Sequence, residues 1–176
     1  MHLLSWRESC RAYSTRELDS QLLADLLWAA FGVRNSAGFR TAPSARNWQE
    51  IDIYVALANG LYRFDHQNEV LLEVLSADIR AATGAQDFVA VAPVNLVYVA
   101  DRNRMTGALP EECDFYAAAD AGAIAQNVYL FCASVGLGTV VRGLIDRPEL
   151  AKRMRLAPSQ RIILAQTVGY TDTFAN

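Results

Sequence analysis

The sequence predicts an α+β fold in a single domain over residues 1–176. Leucines at helical spacing, strand-like runs joined by a hairpin turn, and a long alanine-rich stretch alternate without a regular βαβ repeat. Of the 176 residues, 52% are hydrophobic and 20% are charged, which is typical of a chain that buries a substantial core. The same composition argues against disorder and against a disulfide scaffold.

The first predicted helix follows a capping-box pattern, Ser14-Thr15-Arg16-Glu17, and ends at Gly32. Its apolar residues recur every three or four positions: Leu18, Leu22, Leu23, Leu26, Leu27 and Ala30. Residues 33–48 have no period and are rich in Gly, Ser, Asn, Arg and Pro. They therefore predict a loop that is longer than a simple connection.

The middle of the chain predicts strands. Residues 51–57 and 61–64 flank Asn59-Gly60, a sequence that favours a two-residue hairpin turn. A polar region with a short helical stretch near 77–82 follows. The apolar run 94–100 then predicts a strand that is buried on both faces.

The remaining elements are a loop over 101–112, a long helix from about Asp114 to Val135 that ends at Gly136, and a short extended segment at Val140-Val141. A helix is expected from Asp146 to about Arg155, and a final strand covers 162–168. The long helix carries small side chains, which allow another backbone to approach closely. It is therefore expected at the centre of the domain or at a subunit interface.

Charge and composition exclude several function classes. The net charge of −3 provides no cationic field for nucleic acid or anionic lipid, and two histidines and three scattered cysteines do not indicate a catalytic triad or a metal site. Residues 121–141 are uncharged, but Gln126 and Asn127 favour a buried helix over a membrane span. The opening residues contain no apolar run of signal-peptide length, so cytoplasmic localisation is expected.

Two segments contain candidate binding residues. In the first, Arg7 and Arg11 share one face if the segment forms a helical turn, with Ser9 between them in sequence, and two guanidinium groups with a hydroxyl are suitable donors for a phosphate. A solvated charged face explains the same pattern. In the second segment, residues 40–49, a proline, amides, hydroxyls and an aromatic ring indicate either a structured turn or a binding loop.

Glycines in the last third of the chain do not form a dinucleotide fingerprint. Gly136, Gly138 and Gly143 follow a helix, whereas that motif follows a strand, and the third glycine comes two positions too late. A helix that ends in a glycine-rich turn is the better interpretation.

Taken in order, the motifs resemble the FMN-dependent nitroreductase superfamily. They are the R-x-S-x-R turn at Arg7, P-S-x-x-N-x-Q from Pro43, Asp87-Phe-Val-Ala-Val-Ala-Pro93, Gln126-Asn127, Gly136-Leu-Gly-Thr139 and Val168-Gly-Tyr170. The Leu27–Gly32 helix end and the Arg40–Ala45 loop are most similar to the branch of azoline-oxidising dehydrogenases. The resemblance implies a mostly antiparallel mixed sheet flanked by helices, with the alanine-rich helix at the centre.

The resemblance also implies a cofactor site. Arg7 and Ser9 would bind the FMN phosphate, and Arg11 would reach the ribityl chain or the N1/O2 edge of the flavin. The backbone of Val141, Arg142 and Gly143 would approach flavin N5, where hydride transfer needs no catalytic side chain. In this family the flavin lies between two subunits, so the partner in a homodimer would supply Pro43, Ser44, Ala45 and Asn47.

The implied activity is an FMN-dependent oxidoreductase that takes electrons from NADH or NADPH and passes them to a conjugated acceptor such as a nitroaromatic or a quinone. Two alternatives stay open: a heterocycle dehydrogenase that uses O2, and a flavin-binding partner without turnover. The sequence departs from the family at Glu8, at Glu50 and after Gly169, where the usual basic pair is missing. A phosphate site with fewer cations is therefore expected.

Overall fold

A computed structural model describes residues 2–171 of the chain. Its centre is a six-stranded sheet in the order β3-β2-β1-β4-β6-β5, and every strand pairing within the described residues is antiparallel. The strands are β1 (Ile51–Leu57), β2 (Gly60–Asp65), β3 (Val70–Leu75), β4 (Val94–Asp101), β5 (Gly138–Arg142) and β6 (Gln160–Gly169). The expected α+β architecture and mostly antiparallel sheet are confirmed.

Helices cover both faces of this sheet. They are α1 (His2–Trp6), α2 (Ser20–Phe31), α3 (Pro110–Val135) and α4 (Arg147–Arg153). Helices α2 and α3 pack on one face, where Phe31, Ile124 and Tyr98 belong to the larger apolar core. Helix α4 and a 3-10 turn at Arg80–Thr83 cover the other face around a smaller core.

Several local predictions are confirmed. The expected hairpin joins β1 to β2, but its two turn residues are Ala58 and Asn59 and not Asn59-Gly60, because Gly60 already pairs with Leu57 in β2. The run after Pro93 forms the central strand β4. Helix α3 ends at Gly136, whose φ of 73° lies in the left-handed region that glycine tolerates best.

The expected starts of two helices were wrong. Helix α2 begins after Asp19, whose carboxylate accepts the Leu22 N–H at 2.9 Å, and not at the capping box near Ser14. The backbone of Ser14 is used elsewhere, because its N–H donates to the Tyr170 carbonyl at 2.9 Å. Helix α3 begins at Pro110 and not near Asp114, since proline is favoured in the first helical turn.

Other features did not follow the sequence pattern. Strand β3 and the short helix α1 were not predicted, and residues 7–11 are not helical. Their backbone is instead held along the sheet, where the Cys10 N–H donates to the Thr139 carbonyl at 3.0 Å. Arg7 and Arg11 therefore do not share the face of a helical turn.

Within residues 2–171, no helix is both long enough and apolar enough to span a membrane. The expectation about the basic pair after Gly169 falls largely on residues 172–176, which lie outside the described residues.

Candidate functional site

One part of the candidate site is the free edge of β5. This strand is the last of the sheet, so only one of its sides pairs with β6. The Thr139 carbonyl and the Val141 N–H both point to the other side, where they bond to Cys10 N–H and to the Tyr129 hydroxyl. Because backbone groups alternate in direction along an antiparallel strand, Thr139 and Val141 share this outward edge, and Gly143 follows directly after the strand end at Arg142.

The exposed backbone favours Gly143 over Arg142 as the N–H donor to flavin N5 that the resemblance implies. Arg142 follows Val141, whose N–H faces outward, so by alternation the backbone groups of Arg142 face β6. Val141 donates its N–H to Tyr129 at 3.1 Å and is already satisfied. Among the described residues, nothing accepts a hydrogen bond from the Gly143 N–H. Gly143 is exposed, so this donor is open to a ligand.

Tyr129 connects this edge to the N-terminal segment, and sequence reasoning missed it. Its hydroxyl accepts from Val141 and lies 2.8 Å from the Ser9 hydroxyl, while the Arg7 guanidinium lies 5.3 Å from the centre of its ring. Tyr129 is 7% exposed. Since Ser9 and Tyr129 are 120 residues apart, no local pattern indicates the contact.

The N-terminal donors are suited to an anion. Within residues 2–171, neither Arg7 nor Arg11 takes part in an ion pair, and Arg11 makes only a 3.5 Å contact with the Ser9 carbonyl. Arg7 is half-buried, and Ser9 and Arg11 are exposed. Burial and the charge of Glu8 raise the pKa of the Cys10 thiol, which disfavours a nucleophilic role for it. The donor set fits a phosphate group.

The Arg142 side chain anchors the end of β5 and does not reach the exposed edge. It is 5% exposed and donates to Thr167 Oγ1 at 2.9 Å, to the Thr83 carbonyl at 2.8 Å and to Asn95 Oδ1 at 3.0 Å. Burial lowers its pKa to about 10, so it keeps its charge at neutral pH. These neutral acceptors hold the strand just before Gly143.

The second part of the site is the loop over residues 43–49. The backbone φ angles of Arg46, Asn47 and Gln49 are 49°, 54° and 49°, which lie in the left-handed region that residues other than glycine rarely adopt. Such conformations cost free energy and persist only where surrounding contacts enforce them. An open cleft of about 400 Å³ lies beside the loop, lined in part by Phe39, Pro43, Ser44 and Asn47.

The buried side chains of Glu50 and Asp120 hold the loop in this conformation. The Ser44 hydroxyl accepts the Gln49 N–H at 2.8 Å and donates to Glu50 Oε2 at 3.2 Å. The Ala45 N–H donates to Asp120 Oδ2 at 2.8 Å. Glu50 and Asp120 are 0% and 6% exposed. The loop is therefore anchored to α3 and to the start of β1.

The two parts lie on different sides of α3. Asp120 holds the loop and Tyr129 holds the N-terminal segment, and nine residues separate them. The residues of α3 that face the core form a buried stripe along the helix. Nine residues make about 2.5 turns, so the side chains of Asp120 and Tyr129 lie on opposite edges of this buried stripe and about 13 Å apart along the helix axis. The structure thus brings Arg7, Ser9 and the 141–143 edge together within one chain, but it does not bring Pro43, Ser44, Ala45 and Asn47 to them.

Solved structures with low sequence identity share the fold. A nitroreductase-like protein from Desulfovibrio desulfuricans in complex with FMN matches with a TM-score of 0.72 at 21% identity, over 99% of this chain and 87% of that one. A chain of the Escherichia coli microcin synthetase McbBCD complex, with truncated pro-MccB17 bound, matches with a TM-score of 0.81 at 17% identity, over 94% and 70%. Both likenesses concern the fold alone.

Two proteins are more similar in sequence. A candidate nitroreductase from Ralstonia eutropha JMP134 has a crystal structure that is 46% identical, with a TM-score of 0.92 over 96% of this chain and 81% of that one. A candidate nitroreductase from Methanocaldococcus jannaschii is 31% identical over 160 residues, which are 85% of this chain and 81% of the relative. The model of the nitroreductase family matches residues 4–170. The predicted superfamily is confirmed: the chain belongs to the nitroreductase family.

Proposed function

We propose that this protein is an FMN-dependent oxidoreductase that works as a homodimer with its flavin sites at the subunit interface. NADH or NADPH would supply electrons, and a conjugated electrophile such as a nitroaromatic or a quinone would accept them. FMN, when bound, supplies the redox chemistry, and the protein supplies binding, orientation and electrostatics.

Arg7 and Ser9 would hold the FMN phosphate. The Tyr129 hydroxyl accepts from the Val141 N–H, so its own proton is available to Ser9, and the Ser9 proton is then available to an anion. A chain of hydrogen bonds that all point the same way strengthens its last donor. Arg11, which is exposed two residues further on, would reach the ribityl chain or stabilise negative charge at the N1/O2 edge.

Gly143 would present its N–H to flavin N5. Gly143 is exposed just beyond the end of β5, no described residue accepts its N–H, and the absence of a side chain lets a flat ring approach. Val141 and Arg142 would act differently, because the Val141 N–H is held by Tyr129 and the Arg142 backbone faces β6. They would fix the edge from which Gly143 donates.

A second copy of the chain would complete the site with Pro43, Ser44, Ala45 and Asn47. This assignment is supported by the placement of the loop and the N-terminal donors on opposite edges of the buried stripe of α3. Helix α3 also exposes small residues, including Ala118, Ala119 and Gly122, and a Cβ added at Gly122 would meet nothing within 4 Å. A second backbone can approach this face closely.

One observation carries the proposal: cationic and hydroxyl donors without acidic partners converge, through Tyr129, on a strand edge with an open N–H. The test is the purified protein itself. We expect stoichiometric FMN, released on denaturation, and oxidation of NADH or NADPH when a quinone is added. Purified protein that binds neither FMN nor riboflavin would contradict the proposal.

A heterocycle dehydrogenase is the second candidate, favoured by the fold shared with a chain of the microcin synthetase complex. In that case a substrate heterocycle would supply the electrons and O2 would accept them. The two functions differ in one measurement. A dehydrogenase of this kind would reduce its flavin slowly with either nicotinamide and would consume O2 with an azoline-containing peptide.

A further inference from the structure

A buried pair of carboxyl groups lies beneath the 43–49 loop and has no cationic partner. Among the described residues, no arginine, lysine or histidine forms an ion pair with Glu50 or Asp120. Glu50 is fully buried, and its Oε1 has no hydrogen-bond partner. An ionised carboxylate in this position would be poorly solvated and would face a second negative charge.

A proton on Glu50 resolves both difficulties. Ser44 donates to Glu50 and the adjacent Ala45 N–H donates to Asp120, so the two carboxyl groups lie close together beneath the loop, and a proton on Glu50 Oε1 can be donated to the Asp120 carboxylate. Asp120 keeps an oxygen for the Ala45 N–H, and Glu50 Oε2 still accepts from Ser44. With one proton, the pair is joined by a hydrogen bond and both loop contacts are retained.

We propose that Glu50 and Asp120 are positioning residues that share one proton, and that this shared proton holds the 43–49 loop in its left-handed conformation. Loss of the proton to solvent leaves two adjacent negative charges, and their repulsion loosens the loop from α3. The inference rests on the proposed function only where it assigns the loop to the flavin.

The surroundings of the pair support this direction. Burial, and then the charge of Asp120, raise the pKa of Glu50 to about 6 from an ordinary value of 4.5. The nearby cations do not offset this effect, because Arg40 and Arg104 donate to Gln49 instead, and Arg104 also pairs with Asp52. A folded-state pKa above the unfolded value means that stability is lost as pH rises from 4.5 to about 6, and the loss persists at higher pH.

The direct test measures thermal unfolding of the apoprotein between about pH 4 and about pH 8, which includes the whole interval from the unfolded to the folded pKa of Glu50. We expect the wild-type Tm to fall as pH rises, and Glu50→Gln, which mimics the protonated acid, to remove most of that fall. Asp120→Asn should remove only part of it, because burial alone still raises the pKa of Glu50. Glu73→Gln, which removes an exposed acid on β3, is the matched control and should leave the pH dependence unchanged.

A second readout reports on the loop itself. Hydrogen exchange at the Ala45 amide, corrected for intrinsic rates, should accelerate with pH in the wild type by up to about 30-fold. In Glu50→Gln the exchange should stay at its low-pH value. A wild-type protein whose Tm and exchange follow the same pH profile as Glu50→Gln would overturn the proposal, as would a Glu73→Gln variant that flattens the profile equally.

FMN affinity separates this inference from the proposed function. If the loop contacts the flavin, the Kd for FMN should rise with pH in the wild type and should change less in Glu50→Gln. Unchanged FMN affinity, together with the expected Tm and exchange profiles, would support the shared proton and would show that the loop does not contact the flavin.

Discussion

The two parts of the candidate site are built by opposite means. The N-terminal part has exposed donors without acidic partners, held by the neutral hydroxyl of Tyr129 and the edge of β5. The 43–49 loop has strained backbone conformations, held by the buried acids Glu50 and Asp120. The first part presents positive charge and hydrogen-bond donors to a ligand, whereas the second presents a backbone surface of fixed shape.

This difference explains why the two parts can belong to different subunits. A phosphate needs converging donors, and one chain provides them between α1 and β5. A flat ring needs a firm surface on its other side, which can come from any backbone that is held rigidly. Helix α3 anchors both parts on opposite edges of its buried stripe, and in the proposed homodimer it would connect the site of one subunit to that of the other.

The largest effect is expected at the strand edge. Gly143→Pro removes the exposed N–H, so reduction of bound flavin by NADH or NADPH should slow by about 100-fold or more. FMN affinity should change much less, and stopped-flow absorbance measures the rate. Gly143→Ala retains the N–H, and its Cβ would meet only Leu164 at 4.0 Å, so its loss should be far smaller. Equal losses in both variants would show that the Gly143 N–H does not contribute to flavin reduction.

A smaller effect is expected at the phosphate. Arg7→Ala removes one charge-assisted contact, worth about 1.5–3 kcal/mol, so FMN affinity should fall by roughly 10- to 100-fold. Riboflavin lacks the phosphate, so its affinity should be nearly unchanged. Fluorescence titration measures both ligands. Arg153→Ala on α4, which removes an exposed arginine paired with Glu149, serves as control. Equal weakening of both ligands would place Arg7 away from the phosphate.

The smallest effect is expected at Tyr129. Tyr129→Phe keeps the buried ring and removes one hydrogen-bond link, worth about 0.5–1.5 kcal/mol, so FMN should bind roughly 2- to 12-fold more weakly. When Tyr129→Phe is combined with Arg7→Ala, the additional loss of FMN affinity should be smaller, because the phosphate is already poorly held in the Arg7→Ala variant. Fully additive losses in the double variant would show that Tyr129 acts independently of the phosphate donors.

Local signals in the sequence explain which features were predictable. The hairpin between β1 and β2, the apolar run of β4 and the end of α3 at Gly136 each depend on a few adjacent residues, and the hairpin turn was misplaced by only one residue. Strand β3 was missed because it lies at the sheet edge, where exposed residues such as Val70 and Leu72 break the alternation that marks a strand. Its identity depends on pairing with β2.

The same limit applies to the site. The order of motifs indicated Arg7, Ser9 and Gly143, but the role of Tyr129 depends on a contact across 120 residues. The sequence also marked Glu50 only as a departure from the family. The role of Glu50 depends on Asp120, an α3 residue that lies next to it in the fold. Long-range contacts of this kind have no signature in a single sequence.

Subunit mixing tests the shared site most directly. Arg7→Glu disables the N-terminal part, and Pro43→Trp, at an exposed position, blocks the loop. Each variant alone should bind little FMN. If the two parts come from different chains, mixed dimers contain one site with both parts intact, and an equal mixture should regain about a quarter of the wild-type FMN sites. If both parts of a site come from one chain, every site in the mixture carries a damaged part, and the mixture should regain none.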